Sequence, residues 1–160
     1  MFRPFFRRYN TDDLISSRLY DNKTFYKKFT QDLYRAKQQI YIESPFITTK
    51  RVQKLLPVFE KLRKRNIQIT INTRCPDEHD GEYICQAYNA LSMMQELGIG
   101  VLYTVKHHRK LAVIDENILW EGSLNILSQN DSCEMMRRSI SKQLIEQMIR
   151  FLGVDDDCFY

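Results

Sequence analysis

Residues 107–125 read HHRKLAVIDENILWEGSLN. His108 stands two positions before Lys110, Asp115 follows the lysine by five, and Gly122-Ser123-Leu124-Asn125 closes the stretch. An imidazole brings a nucleophilic nitrogen, an ammonium brings charge, and a hydroxyl and a carboxamide bring hydrogen-bond donors. Together they suit an oxyanion. They do not suit a metal ion, because lysine and asparagine are poor ligands beside one histidine.

Such groups act together only if the backbone aims them at one point. In a strand, side chains two apart share a face, so His108 and Lys110 point one way while Leu111 and Val113 point into the core and His107 faces away. The segments RKLAVID and NILWEGS read as strands flanking a turn at Asp115-Glu116. The resulting hairpin carries Ser123 and Asn125, again two apart, back beside His108 and Lys110.

The rest of the chain supplies a scaffold. Asn22 is read as the cap of a helix over residues 24–39 with Phe25, Phe29 and Leu33 on one face. QIYIESPFIT is a strand that stops at Ser44-Pro45. Residues 48–65 read as a helix with Val52, Leu55, Leu56, Phe59 and Leu62 inward, which Pro57 should kink or split. IQITINT is a strand rich in β-branched residues, CPDEHDGEY a polar loop, and residues 83–97 a helix ended by Gly98. IGVLYTV and SCEMMRRSI are strands, and SKQLIEQMIRFLG is a closing helix with Leu144, Met148 and Leu152 inward. Alternating helices and strands followed by a hairpin predict an α/β fold, a mixed β-sheet flanked by helices. Residues 1–22 are read as an N-terminal extension and 23–160 as the catalytic domain.

Composition sets the wider limits. A length of 160 residues is one domain's worth, and 43 % apolar with 28 % charged residues is ordinary for a soluble globular domain. The net charge of +4 permits a phosphate-bearing partner without requiring one. Cys75, Cys85, Cys133 and Cys158 form no C-x-x-C pair, and nothing resembles a secretory signal or a membrane span. A reduced, cytoplasmic protein with inert thiols is therefore expected. MFRPFFRRYN mixes aromatic and basic residues in runs too short for a signal peptide, and is expected to pack on the domain or join it to something upstream.

H-x-K-x4-D followed by x6-G-S-x-N resembles the signature of the phospholipase D superfamily, matched by His108, Lys110, Asp115, Gly122, Ser123 and Asn125. The looser resemblance, to the small nuclease branch, covers residues 25–152. The motif occurs once, and single-copy members build one active site from a twofold dimer. The resemblance thus implies a phospholipase D-like fold with one motif copy per chain. It also implies a homodimer whose two His108 side chains face each other.

By the same resemblance, one His108 attacks phosphorus to form a phosphohistidine. Its counterpart in the second subunit protonates the leaving oxygen and then activates water. Lys110 and Asn125 hold the non-bridging oxygens, Ser123 adds a donor, Asp115 fixes the hairpin, and Glu134 orients the histidine. No metal or other cofactor is implied.

The function expected is a metal-independent phosphodiesterase, specifically a nuclease acting on DNA or RNA. Arg74 and Arg109 are candidate nucleic-acid contacts. A helicase or restriction-type partner or fused domain is envisaged, and no membrane. The alternatives are a phospholipase or small phosphodiester hydrolase, and a catalytically silent, dimerising nucleic-acid-binding module. The basic run Lys50, Arg51, Lys54, Lys61, Arg63, Lys64 and Arg65 is either a solvated helix face or a backbone contact. Leu119, Trp120, Met93, Met94, Met135 and Met136 are expected in the core.

Overall fold

The computed structural model of the chain describes residues 16–128 and 131–153. The stretch MFRPFFRRYN and Cys158 lie outside the described residues. Among those described, the elements run β1 (Ser16–Asp21), α1 (Phe25–Arg35), β2 (Gln39–Glu43), α2 (Thr49–Lys64), β3 (Gln68–Thr73), α3 (Glu82–Glu96), β4 (Gly100–Tyr103), β5 (Leu111–Ile114), β6 (Ile118–Gly122), β7 (Met135–Ile140) and α4 (Lys142–Leu152). From α1 onward this is the order expected. β1 is an addition, a polar edge strand with none of its residues buried.

The strands form one mixed sheet in the order β1-β7-β6-β5-β2-β3-β4. β2, β3 and β4 pair in parallel and the rest antiparallel. Period-two alternation sorts side chains between two cores. Ile40, Ile42, Ile69, Ile71, Ala112, Ile114 and Trp120 point to the face covered by α1, α2 and α3. Tyr41, Leu111, Val113 and Leu119 point to the other, where Ile145 of α4 meets them. Leu119, Trp120, Met94 and Met136 are buried as expected; Met93 packs half-buried, and Met135 is 47 % exposed.

Four local expectations need correction. Asn22 does not cap α1; the N-cap is Thr24, which makes no side-chain cap bond, and the turn before it is held by the Asp21 carboxylate, which accepts from the Lys23 and Thr24 amides at 3.1 and 2.8 Å. α2 runs unbroken through Pro57. Gln53, whose carbonyl loses the N–H of Pro57, and Pro57 itself are both exposed, so water can replace the missing donor. On α4, Leu144 is 38 % exposed, and Ile145, Met148, Ile149 and Leu152 form the inward face. β5 begins at Leu111, so His108–Lys110 precede the strand rather than belong to it. Its neighbour β2 ends at Glu43, paired with Leu111, before the chain turns away at Ser44-Pro45, leaving no ladder for residues 107–110 to join on that side.

Candidate active site

The site lies at the carboxyl ends of the parallel strands β2 and β3, where open α/β sheets gather their functional loops. Four segments meet there. Residues 44–48 are tied to 125–128, with Thr48 N–H donating to the Leu127 carbonyl at 2.9 Å and Leu127 N–H to Ser44 Oγ at 3.1 Å. The loop after β3 is tied to the segment after β4, with Lys106 N–H donating to Glu78 at 2.9 Å and Arg74 to the His107 carbonyl at 2.7 Å.

Within this frame His108 is exposed and His107 is 2 % exposed, so adjacent histidines point opposite ways even outside a strand. Lys110 Nζ lies 3.3 Å from His108 Nδ1 and donates to the His108 carbonyl at 2.8 Å. With Nδ1 accepting from the ammonium, a neutral ring carries its proton on Nε2; with the proton on Nδ1 instead, Nε2 holds the lone pair that a nucleophile needs. Partial burial holds the Lys110 pKa below the ordinary lysine value; Glu134 opposes that shift and Arg74 reinforces it. Those two side chains therefore act on the same ammonium. Glu134 itself accepts a hydrogen bond from Ser132 Oγ at 2.9 Å and makes none to His108.

Ser123 and Asn125 arrive from β6. Gly122 N–H donates to the Lys110 carbonyl at 3.2 Å, setting the start of the GSxN segment against the lysine. A Cβ on Gly122 would overlap the Met135 carbonyl oxygen and lie 2.9 Å from Met136 Cα, so glycine is required here by the close approach of β7. Ser123 is bonded to β7 through both backbone and side chain: its N–H donates to the Met135 carbonyl at 2.9 Å and its Oγ accepts from Met135 N–H at 3.1 Å. Asn125 Oδ1, an acceptor, is buried without a hydrogen-bond partner, a condition rare in folded chains.

Asp115 is not brought to this cleft. It sits past the far end of β5 at φ 48°, and its carboxylate accepts from the amides of Lys37, Gln38 and Gln39 at 2.9–3.2 Å. Arg74 stacks on Phe46, 5.2 Å from the ring centroid, and holds the His107 carbonyl. Arg109 is committed to Glu43 through Nε at 2.6 Å and a second nitrogen at 3.0 Å, with its side chain still 40 % exposed.

Glu43 is the residue that motif reading missed. Its carboxylate is fully buried and takes Arg109, the Tyr41 hydroxyl at 2.8 Å and the Asn72 amide at 3.1 Å. Thr104 in turn donates to Asn72 at 3.0 Å. His107 Nε2 stands 3.9 Å from Glu43 without a hydrogen bond of its own. Burial lowers the His107 pKa; Glu43 opposes this, and Arg109, Arg74 and Lys110 add to it. Glu43 thus grips Arg109 and faces His107, the residues on either side of His108. The signal was present: a glutamate in the strand QIYIE, all five of whose residues are buried.

A family model described as "Cardiolipin synthase, PLD-like domain" matches residues 29–153. Among curated proteins none matches the chain. Nuc, a phospholipase D family member from Salmonella typhimurium, superposes with a TM-score of 0.70 at 14 % identity, over 85 % of this chain and 90 % of that one. NucT from Helicobacter pylori gives 0.64 at 15 % identity, over 85 % and 92 %. A phosphatidylserine synthase from Haemophilus influenzae gives 0.61 at 11 % identity, over 86 % of this chain and 38 % of that one. At these identities the likenesses speak to fold. No helix among the described residues is long and apolar enough to cross a membrane.

Proposed function

Because the chain belongs to the PLD-like domain family, whose membership supports phosphodiesterase-type hydrolysis, we propose that it is a metal-independent nuclease working through a phosphohistidine at a site shared by two copies of the chain. The observation that carries this reading is the exposed His108 imidazole with the Lys110 ammonium 3.3 Å from its Nδ1. Nε2 of one His108, in the tautomer with its proton on Nδ1 and Lys110 on the His108 carbonyl, attacks phosphorus as the P–O bond to the leaving strand breaks. The second subunit's His108 gives its proton to that oxygen, then takes one from water as the P–N bond is hydrolysed. Lys110 and Asn125 from both copies hold the non-bridging oxygens, the ammonium and the Asn125 Nδ2 amide donating to them.

A single copy offers one such histidine, since His107 is buried and His79 is 6 % exposed. Beside Lys110 a groove of about 420 Å³ is lined by Leu111, Met135, Met148 and Phe151, with Phe151 75 % exposed and Met135 47 %. Apolar surface next to a catalytic lysine favours coverage by a second copy. Arg74 and Arg109 border the cleft as further contacts for the strand, and the basic balance favours nucleic acid over lipid. A cytoplasmic location and a helicase or restriction-type partner belong to the same reading.

The test is cleavage in EDTA of single-stranded DNA, duplex DNA, RNA and a phosphatidyl lipid, with His108→Ala beside wild type. Nucleic-acid cleavage that survives EDTA, disappears in His108→Ala and follows the dimer fraction in sedimentation is the expected result. Lipid cleavage alone selects the phospholipase. Restoration of a lost activity by Mg²⁺ removes this site from the chemistry.

A further inference from the structure

The basic run along α2 divides in two. Its later members serve the fold: Arg63 donates to the Leu97 and Ile67 carbonyls, and Arg65 to those of Tyr34 and Ala36. Its earlier members do something else. Lys50, Arg51 and Lys54 line a groove of about 360 Å³ together with Thr48, Tyr83, Gln86 and Asp131. Lys50 and Lys54 are exposed, and Arg51 is held 3.8 Å above the Tyr26 ring. Among the described residues lining the groove, the exposed Lys50 and Lys54 outnumber the one carboxylate, Asp131, a balance that suits an anion.

Two further features say which anion. Tyr83 is 41 % exposed in the groove wall, an aromatic face offered to solvent beside the cations. The groove is also joined to the catalytic cleft by side chains in sequence. Tyr83 packs edge-on to Phe46 at 6.2 Å, and the Arg74 guanidinium lies over Phe46 at 5.2 Å. Arg74 in turn holds the His107 carbonyl and bears on Lys110. Cations that follow a backbone, with an aromatic ring on which a base can stack, are the makings of a single-strand track; in a duplex the base faces are already stacked on one another.

We propose that this groove is a subsite for single-stranded nucleic acid flanking the scissile phosphate, with Lys50 and Lys54 on backbone phosphates and Tyr83 under a base. The proposal rests on the nuclease reading for its direction but is measured by binding, which needs no turnover. The probes are a fluorescent 20-nucleotide single strand, the same sequence as duplex, and phosphatidylglycerol vesicles, bound to His108→Ala full chain with and without Lys50→Ala/Lys54→Ala or Tyr83→Ala. Losing two phosphate contacts should weaken single-strand binding and reduce the slope of log affinity against log salt by about 1.4. Tyr83→Ala should weaken single-strand binding by about tenfold and duplex binding much less. In the active protein, Lys50→Ala/Lys54→Ala should raise KM for the single strand and leave hydrolysis of bis(p-nitrophenyl) phosphate, which is too small to reach the groove, unchanged. Unchanged single-strand affinity and salt slope overturn the proposal. So does a double variant that loses vesicle binding while keeping the oligonucleotide, which would make this a lipid-facing surface. A wild-type protein that cuts neither nucleic acid ends the nuclease reading, and the binding measurement still decides the groove.

Discussion

Asp32 and Glu43 are both carboxylates with no exposed surface, and each is gripped by an arginine fork. Asp32, on α1, takes Arg138 from β7 at 2.6 and 3.0 Å, the Trp120 indole at 3.1 Å and Lys28 at 3.2 Å. Arg138 is 11 % exposed, so that cluster is closed off from solvent on the arginine side, and it fastens a helix to the sheet without a hydrogen bond to any motif residue. Around Glu43 the arginine is 40 % exposed, a buried histidine nitrogen lacks a partner, and the next residue along the chain is the exposed His108. A closed polar cluster holds the fold together. An open one supports a loop from below and leaves its next side chain, His108, in solvent.

The largest effect should come from the loop itself. His108→Ala and Lys110→Ala are expected to cut turnover by at least about a thousandfold with the melting temperature unchanged, since neither side chain enters the core. Asp32→Ala should do the reverse, costing about 3–5 kcal/mol in denaturant unfolding by stranding Arg138 while the folded fraction keeps its turnover. If Asp32→Ala loses turnover per folded molecule, the two clusters are not separate in role.

Glu43→Gln falls between these extremes. Leaving Arg109 without its counter-charge should lower stability and, through a displaced His108, lower kcat by about a hundredfold. Adding Arg109→Met should restore much of the stability but not the rate. A rate that returns together with stability would make Glu43 a folding residue like Asp32.

The smallest effect is on pH dependence. His107 and His79 are both buried, and burial is the first cause that holds each below the ordinary value of 6.5. Between those lowered values and 6.5 the unfolded chain binds more protons than the folded one. Stability should therefore fall as pH drops through this window, by at most about 1.4 kcal/mol per pH unit for each histidine. Urea unfolding of wild type and of a His79→Asn/His107→Asn variant between pH 5 and 7.5 checks this. The variant should have the flatter curve, and equal slopes would place the titration elsewhere.

Hydrophobic period made most of this architecture legible. Phe25, Phe29 and Leu33 at fourfold spacing, the alternation in IQITINT and the hairpin around Asp115-Glu116 each led to the element observed. β1 was not legible because SSRLYD buries none of its residues; its place comes from pairing with β7, a partner more than a hundred positions away. Pro57 misled because a helix rule assumes the freed carbonyl is costly, and here it faces water. Of the site, spacing alone placed His108 beside Lys110. It could not place Glu43, because a carboxylate in an apolar strand has no partner visible in sequence; Arg109 and Asn72 reach it only through the fold.

The three amides on Asp115 also bear on the order in which the chain assembles. They close contacts spanning 76 to 78 residues, between the start of β2 and the β5–β6 turn. Local hairpins and helices form long before ends so far apart can meet, so this clasp belongs to the late side of the folding barrier. Asp115→Ala should then speed unfolding markedly and leave the refolding rate close to wild type in stopped-flow traces. The aspartate of the motif would be counted, on that measure, as a residue that sets how long the native state lasts.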